Sequence, residues 1–214
     1  MIRLKIPRSK KKNFSSFSYI DAFKQLNLTD LIPWTLDANP VEQSAFFQER
    51  LQRLQRLFDL QSYEESKKLL IDAICEEALV TIDRLKIWKG AQLESDTLAG
   101  YVDYLIAERK RYLDIPLLCI IEAKKDDFEQ GLAQCLVELQ ACQWQNRQAD
   151  RPIDVLGIVT NGEGWQFYRL APTEEVYETP LYSIGDMALL LGRLRYIFEL
   201  CEQNLELYEA GCKT

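Results

Sequence analysis

The sequence predicts an α/β fold, a central mixed β-sheet flanked by helices, with an N-terminal helical extension and a long C-terminal helix. Three observations predict it. Apolar residues recur at helical spacing around 47–58, 70–78 and 190–208. An apolar strand-like run at 117–124 leads directly into a helical pattern at 127–148, and two further runs flank a turn-rich segment at 160–164. Helical and extended patterns that alternate in this way belong to sheets covered by helices.

The elements follow in order. Residues 1–38 form a basic tail and an irregular or partly helical arm containing Trp34, which is expected to order only against the body or a partner; 39–214 form a single domain. Asn39-Pro40-Val41-Glu42 offers a cap, a proline at the first helical position and an acid three residues after the cap, so a helix is expected to start there. Phe47, Leu51, Leu54 and Phe58 give it an apolar stripe, with Arg50, Arg53 and Arg56 on other faces. Ser62 with Glu65 reads as a capping box for a second helix, running to about Val80 through Leu70, Ile71, Ile74 and Ala78. Strands are expected at about 83–93, 99–108 and 117–124, the last entered through Pro116. A helix from Asp127 to about Gln148 carries Leu132, Leu136, Leu139 and Gln143 along one side. Ile153 to Val159 and Trp165 to Leu170 make a hairpin, a short strand lies near 176–183, and Leu190 to Tyr208 form the last helix, with Gly211 as a stop signal.

Composition narrows the chemistry. Histidine is absent, which removes imidazole bases, Ser/His and Cys/His nucleophile pairs and His-ligated metals. The six cysteines (75, 119, 135, 142, 201 and 212) include no CxxC pair, so neither a zinc site nor a disulfide framework is expected. No apolar run approaches the roughly 20 residues that cross a bilayer, and no apolar core follows the basic N-terminus. No membrane association and a cytoplasmic location are therefore expected. Net charge is -7, yet the first twelve residues hold six basic side chains and no acid; without those six the remainder carries -13. An acidic body is poorly suited to binding phosphates unaided.

Two strand-like runs carry the chemistry. Period-two alternation puts Tyr101, Asp103 and Leu105 on one face of their strand, with Val102, Tyr104 and Ile106 on the other. The same period puts Glu122 and Lys124 on one face of Leu118–Lys124, roughly 7 Å apart. Charges on such apolar strands need an ion partner or a metal to offset their desolvation. On adjacent strands, Asp103, Glu122 and the Ala123 carbonyl would make an all-oxygen site suited to Mg²⁺ or Mn²⁺, with Lys124 beside it. Metal-activated water and a lysine are enough for phosphodiester hydrolysis without histidine.

At these residues the chain resembles the PD-(D/E)XK nuclease superfamily. The matching positions are Asp103, then Glu122-Ala123-Lys124, then a helix bearing Gln130 and Gln134, and the likeness spans roughly 64–170. Gly131-Leu132-Ala133-Gln134 resembles the glutamine motif of restriction-enzyme motor-subunit nuclease domains and resolvase-like nucleases. Val102 stands where the family name has proline. The resemblance implies a restriction endonuclease-like core and catalytic roles for Asp103, Glu122, Lys124 and Gln134. It also implies a metal site of Asp103, Glu122 and Ala123, to which some relatives add an acid from the preceding helix; Glu77 is the better placed here, Glu76 second. DNA is the implied partner, with RNA as the other polynucleotide. The acidic surplus motivates a different reading, a catalytically silent nuclease-fold subunit that binds nucleic acid or protein. A homodimer or a partner subunit would then supply DNA affinity.

Other features have two readings each. Arg50, Arg53 and Arg56, and likewise Arg109, Lys110 and Arg111, can follow phosphates or form solvated faces. Lys10 to Lys12 can be a nucleic-acid arm or a loose terminus. Trp144, Trp165 and Tyr168 can stack on bases or fill the core. Thr160 to Gly164 lacks a phosphate-loop Lys-Ser/Thr and reads as a hairpin turn.

Overall fold

Apolar runs on the central strands demand cover on both faces, and the fold supplies it. A computed structural model describes residues 11–124, 127–150 and 152–212; Arg3, Lys5, Arg8 and Lys10 of the basic tail lie outside them. The elements are β1 (Lys12–Asn13), a 3-10 turn (Phe14–Ser16), α1 (Tyr19–Gln25), β2 (Ile32–Pro33), α2 (Ala45–Leu57), α3 (Glu64–Leu79), β3 (Leu85–Glu94), β4 (Leu98–Glu108) and β5 (Leu117–Ala123). They continue with α4 (Phe128–Gln148), β6 (Val155–Thr160), β7 (Gly164–Leu170), β8 (Val176–Glu178), β9 (Tyr182–Ser183) and α5 (Met187–Cys212). Nine strands form one mixed sheet in the order β1-β4-β5-β6-β7-β8-β2, with β3 on β4 and β9 on β7. Only β5 with β6, β1 with β4 and β2 with β8 run parallel.

Two cores sandwich this sheet. On one face Ile71, Ile74 and Cys75 of α3 and Leu194, Phe198 and Cys201 of α5 pack on Ile121, Ile158 and Phe167. On the other, Leu132, Leu136 and Leu139 of α4 pack on Ile120, Val155 and Tyr168. Every residue of β5 and of β6 is buried, which explains why both read as unbroken apolar runs. Among the described residues no helix is long and apolar enough to cross a membrane.

The N-terminal arm is part of this body. β1 adds to β4 and β2 to β8, while Phe14, Phe17, Ala22 and Leu26 enter the α4-side core. No structural break marks residue 38: Leu36 lies in the α5-side core, and Val41 N donates to the Ala188 carbonyl of α5 at 2.8 Å.

Two helix starts differ from expectation. Residues 39–41 are not helical but lie against α5, and α2 begins at Ala45 with Ser44 as its cap, whose hydroxyl accepts from Phe47 N at 3.1 Å. Ser44 is itself held by Glu77, which accepts from its amide at 2.7 Å and its hydroxyl at 2.9 Å. The tertiary acceptor outweighs the local Asn-Pro signal. For α3 there is no capping box: Tyr63 is the cap without a side-chain bond, and Glu65 turns instead to Lys68 at 2.8 Å. Gly211 falls within α5, which runs to Cys212.

Candidate active site

A distortion in β4 builds the site. Lys89 pairs with Tyr104 and Ala91 with Val102, but Gly90 and Asp103 between them drop out of the β3–β4 register. Gly90 has φ +61°, open to glycine at little cost. The two faces exchange across this point, because Val102 packs in the α4-side core and Tyr104 in the α3/α5-side core. The predicted alternation through 101–105 is therefore broken at Asp103, where one residue of each strand leaves the pairing and the register on either side is the same. The β4–β5 register begins at Tyr104 with Ile121, so Asp103 lies where the two strands part.

Into that gap Asp103 sends its carboxylate. Oδ2 accepts from Ala123 N at 3.0 Å and Oδ1 pairs with Lys68 Nζ of α3 at 2.9 Å. Burial pulls the Lys68 ammonium down, but hydrogen bonds and charge from Glu65 and Asp103 reverse this and hold it above the usual lysine range. Valine at Gly90 would have to adopt that left-handed backbone. Gly90→Val is expected to cost about 2 kcal/mol in urea unfolding and to speed hydrogen exchange at the Ala123 amide. An unchanged Ala123 rate would dissociate the distortion at Gly90 from Asp103.

From the α4 side come the partners on β5. Glu122 is fully buried, its Oε1 is 2.7 Å from Lys124 Nζ, and neither carboxylate oxygen has an aligned hydrogen-bond donor. The Lys124 contact is thus an ion pair of poor alignment, and among the described residues Oε2 has no hydrogen-bond partner. Burial and then the Asp103 charge raise the Glu122 carboxyl to about 7, against the opposing pull of Lys124. Burial lowers the Lys124 ammonium, and the close Glu122 carboxylate more than offsets that, leaving it raised.

Helix α4 closes the cluster. Its first turn is capped by Asp127, which accepts from Gln130 N at 2.8 Å. Gly131 lies against Lys124 and Val159, so the helix approaches the strands closely. Three residues on, Gln134 accepts from Lys124 Nζ at 3.2 Å through Oε1 and donates through Nε2 to Glu138 Oε1 at 3.0 Å. Gln130 instead reaches the Phe17 carbonyl.

Asp103, Glu122, Lys124 and Gln134 are thus brought together, with the Ala123 amide between them. Glu77 is not: Ser44 engages both its oxygens, and it lies nine residues beyond Lys68 on α3, about 13 Å along the axis. Glu76 pairs with Arg50. The acid that α3 does send toward the site is Glu64, 3.6 Å from Lys68 Nζ and felt by both Glu122 and Lys124. Sequence reasoning missed Glu64, Lys68 and Glu138. The last carries a legible signal, an acid inside Leu136-Val137-Glu138-Leu139, one helical turn after Gln134.

With exposed Glu65 set aside, four carboxyl groups, those of Glu64, Asp103, Glu122 and Glu138, gather around Lys68 and Lys124, and burial pushes Glu122 and Glu138 toward their protonated forms. Among the described residues no three acids or thiols cluster tightly enough to cage an ion alone. Mg²⁺ needs no such cage: it is commonly held by one or two carboxylates and keeps several waters. The unsatisfied oxygens of buried Glu122 beside Asp103 fit that mode.

The remaining candidates divide. Arg53 pairs with Glu49, Arg109 with Asp83, and Lys110 with Glu108 and Asp114, as solvated faces do. Trp165 and Tyr168 are core residues, while half-buried Trp144 lines a cleft beside Gln140 and Arg147. Lys11 pairs with Glu94, and Lys12 sits over the Phe17 ring. Residues 160–164 form the expected turn, with Asn161 Oδ1 accepting from the amides of Glu163 and Gly164. No protein-family model matches this chain, and no curated protein sequence matches it.

Proposed function

We propose that the protein is a metal-dependent phosphodiester hydrolase acting on DNA, on a restriction endonuclease-like core. The observation that carries this reading is the convergence of Asp103, Glu122, Lys124 and Gln134 at one splayed sheet end, where the oxygens of a fully buried carboxylate lack hydrogen-bond donors. The order α3-β3-β4-β5-α4-β6, with the acid at the parting of β4 and the Glu-x-Lys on β5, supports the resemblance to PD-(D/E)XK nucleases.

Asp103 and Glu122, with the Ala123 carbonyl, would hold Mg²⁺ or Mn²⁺. When bound, the cation supplies Lewis acidity toward water and the phosphodiester and offsets phosphate charge. The chain's own residues do the rest. Glu122 must release its proton to serve as a ligand, so proton and cation compete for it. Lys124 keeps its proton and acts as a donor, orienting a water or stabilising charge on the phosphoryl oxygens rather than serving as a base. Gln134 holds the ammonium from the far side and limits its swing.

The test is Mg²⁺-dependent cleavage of supercoiled, linear and branched DNA. Lys124→Ala is expected to lose roughly a hundredfold in rate, the scale of one transition-state donor. Equal rates for both proteins, or none on any substrate, count against the proposal; RNA of matched sequence separates an RNA-directed enzyme. One observation favours the silent-subunit reading: the chain's own groups already engage both Asp103 oxygens. Calorimetry with Mn²⁺ discriminates, since uptake that vanishes in an Asp103→Asn, Glu122→Gln double variant supports the enzyme.

A further inference from the structure

We propose that Glu138 is a positioning residue, whose buried carboxyl fixes the Gln134 amide so that the amide oxygen faces the Lys124 ammonium. This rests on the reading of Lys124 as the site lysine and extends it one residue deeper into α4.

The geometry carries it. Gln134 and Glu138 are one helical turn apart, and both are buried, Glu138 fully and Gln134 to 7% exposure. A carboxamide has a donor end and an acceptor end. Here Nε2 donates to Glu138 Oε1 at 3.0 Å while Oε1 accepts from Lys124 Nζ at 3.2 Å. The reversed amide would set an NH₂ group against the donor-only ammonium and lose that contact. With the oxygen facing Lys124 the NH₂ end must find an acceptor in the core, and Glu138 supplies it, fixing the amide and through it one of the two oxygens that hold Lys124.

Nothing else in the packing calls for an acid there. Glu138 Oε2 is buried without a hydrogen-bond partner, and Leu132, Leu136, Leu139 and Cys135 surround this part of α4 with apolar core. Burial and the charge of Glu122 push the carboxyl well above the ordinary glutamate range. An apolar residue of similar size would remove a desolvated carboxyl but leave the buried Gln134 NH₂ without its acceptor, so the two roles are separated by the amide itself and by kcat rather than by stability.

Two variants decide it, E138Q, which keeps an acceptor, and E138L, which does not. In ¹⁵N-edited NMR of the whole chain, the Gln134 side-chain NH₂ is expected to be downfield-shifted and slow to exchange in wild type and E138Q. In E138L it is expected to move to the position of a free amide. On DNA, E138L should lose about tenfold in kcat with little change in KM, and E138Q should stay within about threefold. Unchanged Gln134 signals in E138L overturn the proposal, as does a free-amide signal in E138Q. The NMR readout needs no cleavage, so a protein inactive in every form sinks the hydrolase reading while Gln134 still decides this one.

Discussion

Replacing Glu122 with glutamine is expected to stabilise the metal-free protein near pH 8 while removing its response to Mg²⁺. The Glu122 carboxyl rises from 4.5 in an exposed chain to about 7 in the fold, first through burial and then through Asp103. The folded state therefore binds this proton more tightly than the unfolded one. Its contribution is fully present below the unfolded value and is lost as pH climbs through the window up to about 7. The loss is on the order of 3 kcal/mol, and glutamine, neutral throughout, avoids it. Urea midpoints should therefore fall for wild type between about pH 5 and pH 8 and stay flat for the variant, the two converging in acid. Millimolar Mg²⁺ should restore wild type at the alkaline end, since the cation and the proton compete for one carboxylate. It should do nothing for Glu122→Gln. DNA cleavage should fall roughly a thousandfold, the several kcal/mol that a Lewis acid contributes to a phosphoryl transition state. Parallel pH profiles for the two proteins would show that Glu122 is not the group that titrates.

How far the sequence discloses this site depends on chain separation. Glu122, Lys124 and Gln134 lie within thirteen residues, on one strand and the helix that follows it. Strand period sets the first two on one face and a short connection sets the third above them, so local rules suffice. The same holds for the apolar runs of β5 and β6 and for the hairpin at 160–164. Contacts across long stretches of chain left no such mark. Lys68 meets Asp103 from thirty-five residues away, and Ser44 meets Glu77 across thirty-three. Local spacing therefore favoured Glu77, which the fold engages with Ser44 away from Asp103, and the wrong first residue of α2. Pairing of the arm with both β4 and β8 was equally hidden, because strands of two residues are too short to show a period. The unpaired position in β3 and β4 is the intermediate case. A glycine inside a strand signals a break in pleating, and Gly90 carries that signal, but its consequence falls on Asp103 in the neighbouring strand.

Alanine at Gly131 is expected to destabilise the protein by about 2 kcal/mol even though alanine is the better helix former by about 1 kcal/mol. A Cβ at Gly131 would lie 2.7 Å from Val159 Cγ1 and 3.2 Å from Lys124 Cγ. Val159 is fully buried in β6 and, being branched at Cβ, has little freedom to turn aside. The strain must therefore move α4 outward or push the Lys124 stem. Either shift opens the 3.2 Å contact between Gln134 and Lys124. Misplacement of a reacting group by about 1 Å can cost a hundredfold, so Gly131→Ala should impair cleavage on that scale without touching a polar atom. The decisive measurement is a double-mutant cycle with Val159→Ala. Alone, Val159→Ala empties a buried site and should cost about 2 kcal/mol; combined, the new methyl fills the space vacated, so the pair should be about as stable as either single variant. Activity should recover in the double variant, because the helix can return to its close approach. Additive losses would mean that the two side chains do not compete for the same space. The close approach of α4 to β5 would then not be what sets the glutamine against the lysine.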